Sequence, residues 1–408
     1  MNINDSGRCL LCKNARCASA CPINTNIPEA MRLYREGKLD KAGELLFANN
    51  PMAAITSLVC DWENNCYGHC VLNVKKNPID WHSIEAEISW EHLSKVKINP
   101  GAYNGKKIAI VGGGPAGIAA AIWLCQEGCH VEIFDENPRL GGVLRYGIPS
   151  FRLDRKYIDI YESILNEAGV VFNGGKKIGK DININHLREN FDAVMLSTGA
   201  SVPRTLDIPG EENGRIIYAL DYLKDPDSYG LSGKVLVIGG GNVTMDASRT
   251  ALRQGCDTWV YYRKSFENMP ANAREIEEAK EEGVRFCLFE VPVAINGDVA
   301  IMRKCENITR EDGRIATRMI EGSDHEVRFD HMLVAISANI DLGVFYNSDS
   351  AASEKGWLKL SEEQETSLKG VFAAGDLVLG PSSVVESVAS ARKAVDSILK
   401  HIHSPLNH

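Results

Sequence analysis

The fold is decided by the stretch Lys107-Ile108-Ala109-Ile110-Val111-Gly112-Gly113-Gly114-Pro115-Ala116-Gly117. Its apolar start predicts a buried strand, and residues 118–125 predict a helix directly after the glycines. Glycines at the first, third and sixth place permit a tight turn, approach of the backbone to a pyrophosphate, and close packing of helix on strand. The pattern therefore predicts a dinucleotide site that includes Gly112, Gly114, Pro115, Ala116 and Gly117.

A second apolar run, residues 130–134, ends in two acids, Asp135 and Glu136. A carboxylate about 20 residues after the glycines is placed to accept the ribose hydroxyls of an adenosine. Asp135 is the better candidate because it follows the last strand residue directly, and Glu136 is a further candidate. The alternative is a plain strand–turn–helix, but the two strands, the helix and the acid together favour dinucleotide binding.

The chain of 408 residues is long enough for two or three domains. Its formal net charge of −9 argues against nucleic acid or an anionic membrane as the main partner. No apolar stretch approaches the roughly 20 residues of a membrane-spanning helix, and residues 1–5 lack the features of a signal peptide. We therefore expect a cytoplasmic protein, in which clustered cysteines serve as metal ligands or redox groups.

The first hundred residues differ from the rest of the chain, because no alternation typical of strands is present. Two short helices are predicted, at residues 28–36 and 40–47, with Asn26 and Asp40 as their N-caps. The composition of residues 99–105 is typical of a linker that leads into the first glycine-rich motif.

Seven of the twelve cysteines lie in this first region, with the spacing C-x2-C-x4-C-x3-C-P followed by C-x5-C-x3-C. Disulfides are disfavoured in a reducing compartment, and an odd number leaves one thiol over. Structural zinc usually shows paired C-x2-C knuckles, and only Cys9 and Cys12 form one. Iron–sulfur ligation fits best, because closely spaced thiolates are followed by a Cys-Pro whose thiol often serves a second cluster.

Two four-iron clusters need eight ligands, so one place is left for a side-chain oxygen or nitrogen. The sharing rule predicts one cluster on Cys9, Cys12, Cys17 and Cys70, and a second cluster on Cys21, Cys60 and Cys66. Spacing alone leaves four candidates open for the eighth ligand, namely Asp80, His82, Glu85 and Glu87.

The glycine pattern recurs later in the chain, where an apolar strand at residues 235–238 precedes a turn and a helix at 245–253. The predicted binding residues of this second site are Gly239, Gly241, Asn242, Val243 and Thr244. In place of the acid, this copy has Arg263 and Lys264, which can pair with the 2′-phosphate of NADP. The alternative for the basic pair is a solvated turn. The sequence thus predicts two different dinucleotides.

Three further segments have features that a bound ligand or, at Gly199, a hinge would explain. The loop at residues 140–149 is too apolar for a solvated turn, a strand at 191–196 ends in a Ser-Thr-Gly sequence, and a late buried strand ends in Gly-Asp. The candidate residues are Gly142, Leu144, Thr198, Gly199, Gly375 and Asp376. A closing helix is predicted at residues 383–401. The five other cysteines form no pair beside a glycine loop, which disfavours a disulfide reductase.

Together these motifs resemble the family of the small (β) subunit of glutamate synthase, and within it most closely the NAD(P)H-oxidising subunits of bacterial dihydropyrimidine dehydrogenases. The likeness covers nearly the whole chain and rests on the cysteine pattern and on residues 112–117, 140–151, 239–246, 262–271 and 370–376. Members of the family place Gln or Glu at the eighth ligand position, in a context that Ser83-Ile84-Glu85 matches. The resemblance therefore selects Glu85.

The resemblance implies an α/β fold with a helical N-terminal domain followed by two Rossmann-type domains, the second inserted in the first. The helical domain, residues 1–102, would hold two [4Fe-4S] clusters. The FAD-binding domain would consist of residues 103–200 and 338–408, and the NAD(P)H-binding domain of residues 201–337. Three departures from the family are Asp61 in place of a proline, and Ser337 and Ala391 in place of glycines.

The implied function is electron transfer from NADPH, or NADH, through FAD and the two clusters to a partner subunit. No segment is left over for an organic substrate site, and the resemblance implies a hetero-oligomer with a dihydropyrimidine dehydrogenase-type catalytic subunit. The alternatives are the large subunit of glutamate synthase, a ferredoxin-like acceptor, and a non-enzymatic redox sensor.

Overall fold

A computed structural model describes residues 3–346, 353–354 and 357–404, and the chain forms two compact units. The first unit comprises Met1–Leu144, Ser150–Ala200 and Ile340–His408, and the second comprises Arg145–Pro149 and Ser201–Asn339. The chain thus leaves the first unit after residue 200, builds most of the second, and returns to the first at residue 340.

The first hundred residues contain only helices in the described part, residues 3–100. They are α1 (Ile3–Arg8), α2 (Arg16–Ser19), α3 (Ile27–Arg35), α4 (Leu39–Asn49), α5 (Ala53–Val59) and α6 (Trp81–Leu93), with a 3-10 helix at Val71–Lys75. Asn26 caps α3, because its side chain accepts the Glu29 N–H at 3.4 Å. The prediction of Asp40 as an N-cap was wrong. The chain turns at Gly37, where φ is +69°, so that Lys38 is the N-cap and Asp40 lies inside the first turn of α4.

Strands and helices alternate in the next segment of the first unit. They are β1 (Lys107–Val111), α7 (Pro115–Gln126), β2 (His130–Asp135), α8 (Val143–Tyr146), α9 (Arg155–Glu167), β3 (Val171–Gly174), α10 (Ile184–Asn190) and β4 (Ala193–Leu196). Every residue of α7 from Pro115 to Cys125 is buried, which explains why this helix is apolar on all sides.

The second unit contains a parallel sheet and an antiparallel sheet. Its elements are β5 (Val202–Pro203), β6 (Ile216–Tyr218), α11 (Ala219–Lys224), β7 (Lys234–Gly239), α12 (Asn242–Arg253), β8 (Asp257–Tyr262), α13 (Ala273–Glu282), β9 (Arg285–Leu288), β10 (Glu290–Asn296), β11 (Val299–Thr309), β12 (Ile315–Met319), β13 (His325–Arg328), β14 (His331–Ala335) and β15 (Ala338–Asn339). The parallel sheet has the order β6-β14-β7-β8-β9, and β10, β12 and β13 join the antiparallel sheet around β11.

The last segment completes the first unit with β16 (Ser353–Glu354), β17 (Trp357–Leu358), β18 (Val371–Ala373), α14 (Asp376–Leu379) and α15 (Val384–His403). β18 pairs with β4, which gives a parallel sheet of order β18-β4-β1-β2-β3. Ser383 and Glu386 form a capping box at the start of α15. The α/β fold with a helical N-terminal region and one Rossmann-type part inserted in another is thereby confirmed.

The helical region packs on the rest of the first unit through the end of α4 and the turn that follows it. The carbonyl of Ala48 accepts hydrogen bonds from the Trp123 indole at 3.2 Å and from the Arg392 guanidinium at 3.1 Å. The buried Tyr161 hydroxyl donates to the Pro51 carbonyl at 2.8 Å. The domain boundary at residue 102 stays a prediction, since the helical region and the first sheet belong to one compact unit.

The backbone at Ser337 is strained. Its φ is +116°, a conformation that glycine adopts readily and that costs a residue with a side chain roughly 1–3 kcal/mol. This is one of the positions at which the related family has glycine. The Ser337 carbonyl nevertheless accepts the Arg204 N–H at 3.3 Å, which keeps the segment in place.

We expect Ser337→Gly to raise the free energy of unfolding by about 1 kcal/mol, because relief of the strain exceeds the extra entropy of glycine in the unfolded chain. The melting temperature of the loaded protein measures the effect. Ser337→Ala is the matched control and should give no increase, because alanine keeps the β-carbon. A glycine variant no more stable than the alanine variant would contradict the assignment of strain.

Candidate dinucleotide and iron–sulfur sites

The three glycines of the first loop have three different surroundings. A β-carbon on Gly112, where φ is +109°, would lie 2.3 Å from the Ser197 carbonyl oxygen, and one on Gly117 would lie 2.0 Å from the Gly112 carbonyl oxygen. A β-carbon on Gly114 would meet only Gly142, with its Cα 3.9 Å away. The outer glycines thus allow close backbone packing, while the middle one leaves space at the N-terminus of α7, where unpaired N–H groups can bind a pyrophosphate.

The Asp135 carboxylate holds this loop in place. It is buried and accepts the N–H groups of Gly113 at 2.6 Å and of Asn137 at 2.7 Å, while its burial raises its pKa. Each carboxylate oxygen has two lone pairs, so Asp135 can also accept a ribose hydroxyl. Glu136 is exposed and pairs with Lys177 at 3.2 Å, so it is the weaker of the two acidic candidates.

The apolar loop after β2 lies against the glycine loop. Gly141 donates its N–H to the Gly113 carbonyl at 2.8 Å, and a β-carbon on Gly142 would lie 2.7 Å from the Cα of Gly114. The Leu144 side chain is fully buried, so packing explains it without a ligand. Gly142 therefore lies against the first glycine loop, and Leu144 is part of the buried core.

Two residues after β4 have polar or conformational features that a ligand would explain. The Thr198 hydroxyl is buried without a hydrogen-bond partner among the described residues. Gly199 has φ of +74°, and a β-carbon there would meet no atom within 4 Å. A buried unpaired hydroxyl next to open backbone is satisfied when a ligand with polar atoms binds there, so these residues fit a flavin nucleotide.

The turn after β18 reaches the same loop from the far end of the chain. A β-carbon on Gly375 would lie 3.2 Å from Cβ of Ala116, in the first turn of α7. Asp376 accepts hydrogen bonds from Ser382 at 2.6 Å and from Ser387 at 2.8 Å, and burial raises its pKa. Residues about 260 positions apart in sequence thus form one candidate site for FAD.

The second glycine loop repeats the arrangement with one difference. A β-carbon on Gly239 would lie 2.3 Å from the Ala335 carbonyl oxygen, while one on Gly241 would meet only Pro270, at 4.0 Å. The sixth place has Thr244 instead of glycine, and its buried hydroxyl donates to the Ala335 carbonyl at 3.3 Å. Open space again remains at the helix N-terminus, here beside Gly241, Asn242 and Val243, the first residues of α12 and its cap.

The two basic residues after β8 differ in their contacts. Lys264 donates from Nζ to the Ile315 carbonyl on β12 at 2.8 Å. Arg263 is exposed and has no ion-pair partner in the part of the chain that the structure describes. The contact of Lys264 was not foreseen from the sequence, because it joins residues 51 positions apart. Arg263 is therefore the cation left available for a 2′-phosphate.

Charge interactions link the cysteines in two sets. Burial raises the pKa of Cys9 and raises that of Cys17 to about 11, and both thiols feel the charges of Cys12 and Cys70. Burial likewise raises the pKa of Cys60 to about 12 and that of Cys66 still further, and both feel the charges of Cys21 and Glu85. These groups match the two predicted ligand sets, but ligation itself stays a prediction.

The described residues contain no group of three or more His, Cys, Asp or Glu side chains that could hold a single metal ion. Of the seven cysteines in the helical region Cys66 is buried and the other six are partly exposed. Closely spaced thiols of this kind fit the ligation of iron–sulfur clusters.

The four candidates for the eighth ligand are distinguished by their partners. Asp80 caps α6 through the Ser83 N–H at 3.2 Å and pairs with His82 at 2.5 Å, and Glu87 accepts the Tyr34 hydroxyl at 2.7 Å. Glu85 has no ion-pair partner among the described residues, and burial raises its pKa to about 8. A partly buried carboxyl that pairs with no cation and acts on the charges of two cysteines is suited to a metal.

Comparison with known proteins is consistent with both kinds of site. The family model for pyridine nucleotide-disulphide oxidoreductases matches residues 106–396, and the model for dihydropyrimidine dehydrogenase domain II with its 4Fe-4S cluster matches residues 1–95. The glutamate synthase [NADPH] small chain of Azospirillum brasilense is 32% identical, with 96% of this chain and 87% of the relative covered. That of Escherichia coli is 31% identical, with 96% and 89% covered.

The chain belongs to the glutamate synthase small-chain family. The predicted resemblance is confirmed, and with it the class of the protein, an NAD(P)H-dependent oxidoreductase of the flavin and iron–sulfur type. Among solved structures, FprA of Mycobacterium tuberculosis in complex with NADPH is 18% identical with a TM-score of 0.64, over 73% of this chain and 84% of that chain. At that identity the likeness supports the fold alone. No helix in the described part of the chain is both long and apolar enough to cross a bilayer.

Glu85→Ala should abolish the spectroscopic signal of one cluster and leave the other intact, because the charge of Glu85 acts on the Cys60 and Cys66 thiols. Electron paramagnetic resonance of the dithionite-reduced protein, together with iron analysis, measures this. The neighbouring Glu87→Gln is the matched control and should keep both signals. If the Glu85 variant also keeps both signals, Glu85 is not a ligand.

Arg263→Ala should lower kcat/KM for NADPH by roughly ten- to a hundredfold, since a hydrogen bond to a charged group contributes about 1.5–3 kcal/mol. The value for NADH should barely change, because its ribose has no phosphate. Lys264→Ala is the comparison and should cost less, because the Lys264 ammonium is already bound to a carbonyl. Equal losses for both nucleotides, or a wild type that prefers NADH, would refute the assignment.

Proposed function

We propose that the chain is the NAD(P)H-oxidising subunit of a larger enzyme and delivers electrons through FAD and two [4Fe-4S] clusters to a separate catalytic subunit. The observation that best supports this is the route of α5. Its start follows the turn at Ala48 and Pro51, which is bonded to α7, α9 and α15, and its end leads directly into Cys60. Seven helical residues span about 10 Å, so the Cys60 group is a short step from the flavin-binding elements.

The burial and contacts of the cysteines support an order for the two groups. Cys66 is buried and feels the charge of Cys17, which belongs to the other group. The Cys9 group lies in partly exposed segments near the chain start. We infer that electrons pass from the flavin to the Cys60 group and then to the Cys9 group.

The cofactors, when bound, supply hydride transfer and single-electron transfer, and the residues of the chain position them. The helix N-termini after the two glycine loops would hold the pyrophosphates, and Arg263 would bind the 2′-phosphate. In the helical region Trp81, Ile84 and Ile88 belong to the apolar core around Cys66. This core keeps water away from the thiolates. Binding to iron then compensates negative charges that would otherwise be buried without a partner.

The partner that we propose is a catalytic subunit of the dihydropyrimidine dehydrogenase type, which the match of residues 1–95 supports. The alternative is the large subunit of a glutamate synthase, which the names of the relatives that match the whole chain support. A ferredoxin-like acceptor is the third candidate.

The purified chain should contain about eight irons and eight sulfides and one FAD, on the count of two four-iron clusters. It should oxidise NADPH with an artificial one-electron acceptor such as ferricyanide. Addition of a candidate catalytic subunit then identifies the partner, by NADPH-dependent reduction of uracil in one case and by formation of glutamate from glutamine and 2-oxoglutarate in the other. Stoichiometric zinc without iron would refute the clusters, and loaded protein without turnover would leave only the sensor function.

A further inference from the structure

Two segments that contribute the cysteines of the Cys9 group have an unusual charge. Residues 8–17 and 70–77 together contain five cations and no acid, in a chain whose formal net charge is −9. The cations are Arg8, Lys13, Arg16, Lys75 and Lys76. The charge of these two segments is therefore opposite in sign to that of the whole chain.

The two segments lie side by side. The Arg8 guanidinium donates to the Asn77 carbonyl at 2.5 Å, and the Cys9 thiol feels the charge of Cys70. Each segment also exposes one large apolar side chain, since Leu10 is 63% exposed and Val74 is 85% exposed. We name the surface formed by residues 8–17 and 70–77 the exit surface.

Most of these cations form no ion pair within the described part of the chain. Arg8 pairs with Asp5, but the other four have no ion-pair partner among the residues that the structure describes. Elsewhere in the first unit, cations such as Arg32 and Arg139 pair with carboxylates nearby. Four unpaired cations around two exposed apolar side chains have the composition of an interface, apolar at the centre and charged at the rim.

We propose that the exit surface binds an acidic protein with a one-electron redox centre and that electrons cross there to or from the Cys9 group. The inference rests on the proposed function and adds to it the place and the charge of the contact. The basic surface favours an acidic partner, because opposite charges speed the encounter of two proteins and orient them. The exposed Leu10 and Val74 supply the apolar contact next to the cysteines.

An acidic plant-type [2Fe-2S] ferredoxin serves as the probe. Two reduced ferredoxins each give up one electron, and NADP+ takes up both electrons and one proton to form NADPH, which is followed by its absorbance at 340 nm. For the wild type, kcat/KM for ferredoxin should fall steeply with added salt. Lys75→Glu/Lys76→Glu should lower it at least tenfold at low salt and remove most of the salt dependence.

The matched control is Lys359→Glu/Lys369→Glu, which makes the same change in net charge at two exposed lysines of the first unit. This variant should keep the ferredoxin rate of the wild type. Val74→Asp is a second variant, which tests the apolar contact without altering a cation, and it should also slow the ferredoxin reaction. Iron and flavin contents are measured for each variant, so that loss of a cofactor is recognised.

Equal ferredoxin rates in Lys75→Glu/Lys76→Glu and in the control, with intact cofactors, would overturn the exit surface. A wild-type rate that does not depend on salt would overturn it as well. Oxidation of NADPH by ferricyanide in the wild type tests the proposed function separately, because this small acceptor does not need the surface. If that reaction fails, the proposed function fails. If it succeeds and charge reversal has no effect, only the exit surface is refuted.

Discussion

The constraint on which the structure depends most is the contact between the backbones of Gly112 and Gly117. A β-carbon on Gly117 would lie 2.0 Å from the Gly112 carbonyl oxygen, so a side chain is excluded there. This contact lets α7 lie close on β1 and directs the N-terminus of α7 to the open space beside Gly114. Asp135 fixes the loop from the next strand by accepting the Gly113 N–H. Contacts within the chain thus shape the candidate site for the first nucleotide.

The parts of the structure that follow from short stretches of sequence could be predicted well. Strands, glycine turns and helices around Gly112 and Gly239 have local causes, so pattern alone located them. The family resemblance predicts a second part of the FAD-binding domain at residues 338–408, and this boundary stays a prediction. The prediction of Asp40 as an N-cap was wrong, because the chain turns at Gly37, earlier than the apolar pattern indicated. Spacing also could not choose the eighth ligand, because the partners of Asp80 and Glu87 appear only in three dimensions.

Contacts between distant segments were beyond sequence reasoning. The bond from Lys264 to Ile315 needs the hairpin of β11 and β12 to lie beside the end of β8. The Ala48 carbonyl accepts hydrogen bonds from two side chains of the first unit, and no sequence motif identifies it. Such contacts use backbone atoms, which every residue has, and therefore leave no trace in residue identity.

The burial of α7 has a consequence for synthesis of the chain on the ribosome. This helix is apolar on all sides because α15 packs against it, and α15 begins about 260 residues after α7 ends. At roughly 5–20 residues per second, the partner helix emerges about 13–50 s later. During that interval the nascent chain exposes an apolar helix that cannot yet be covered by its native neighbour. Protection of this helix, by a chaperone or by transient contacts, is thus a requirement of the fold itself.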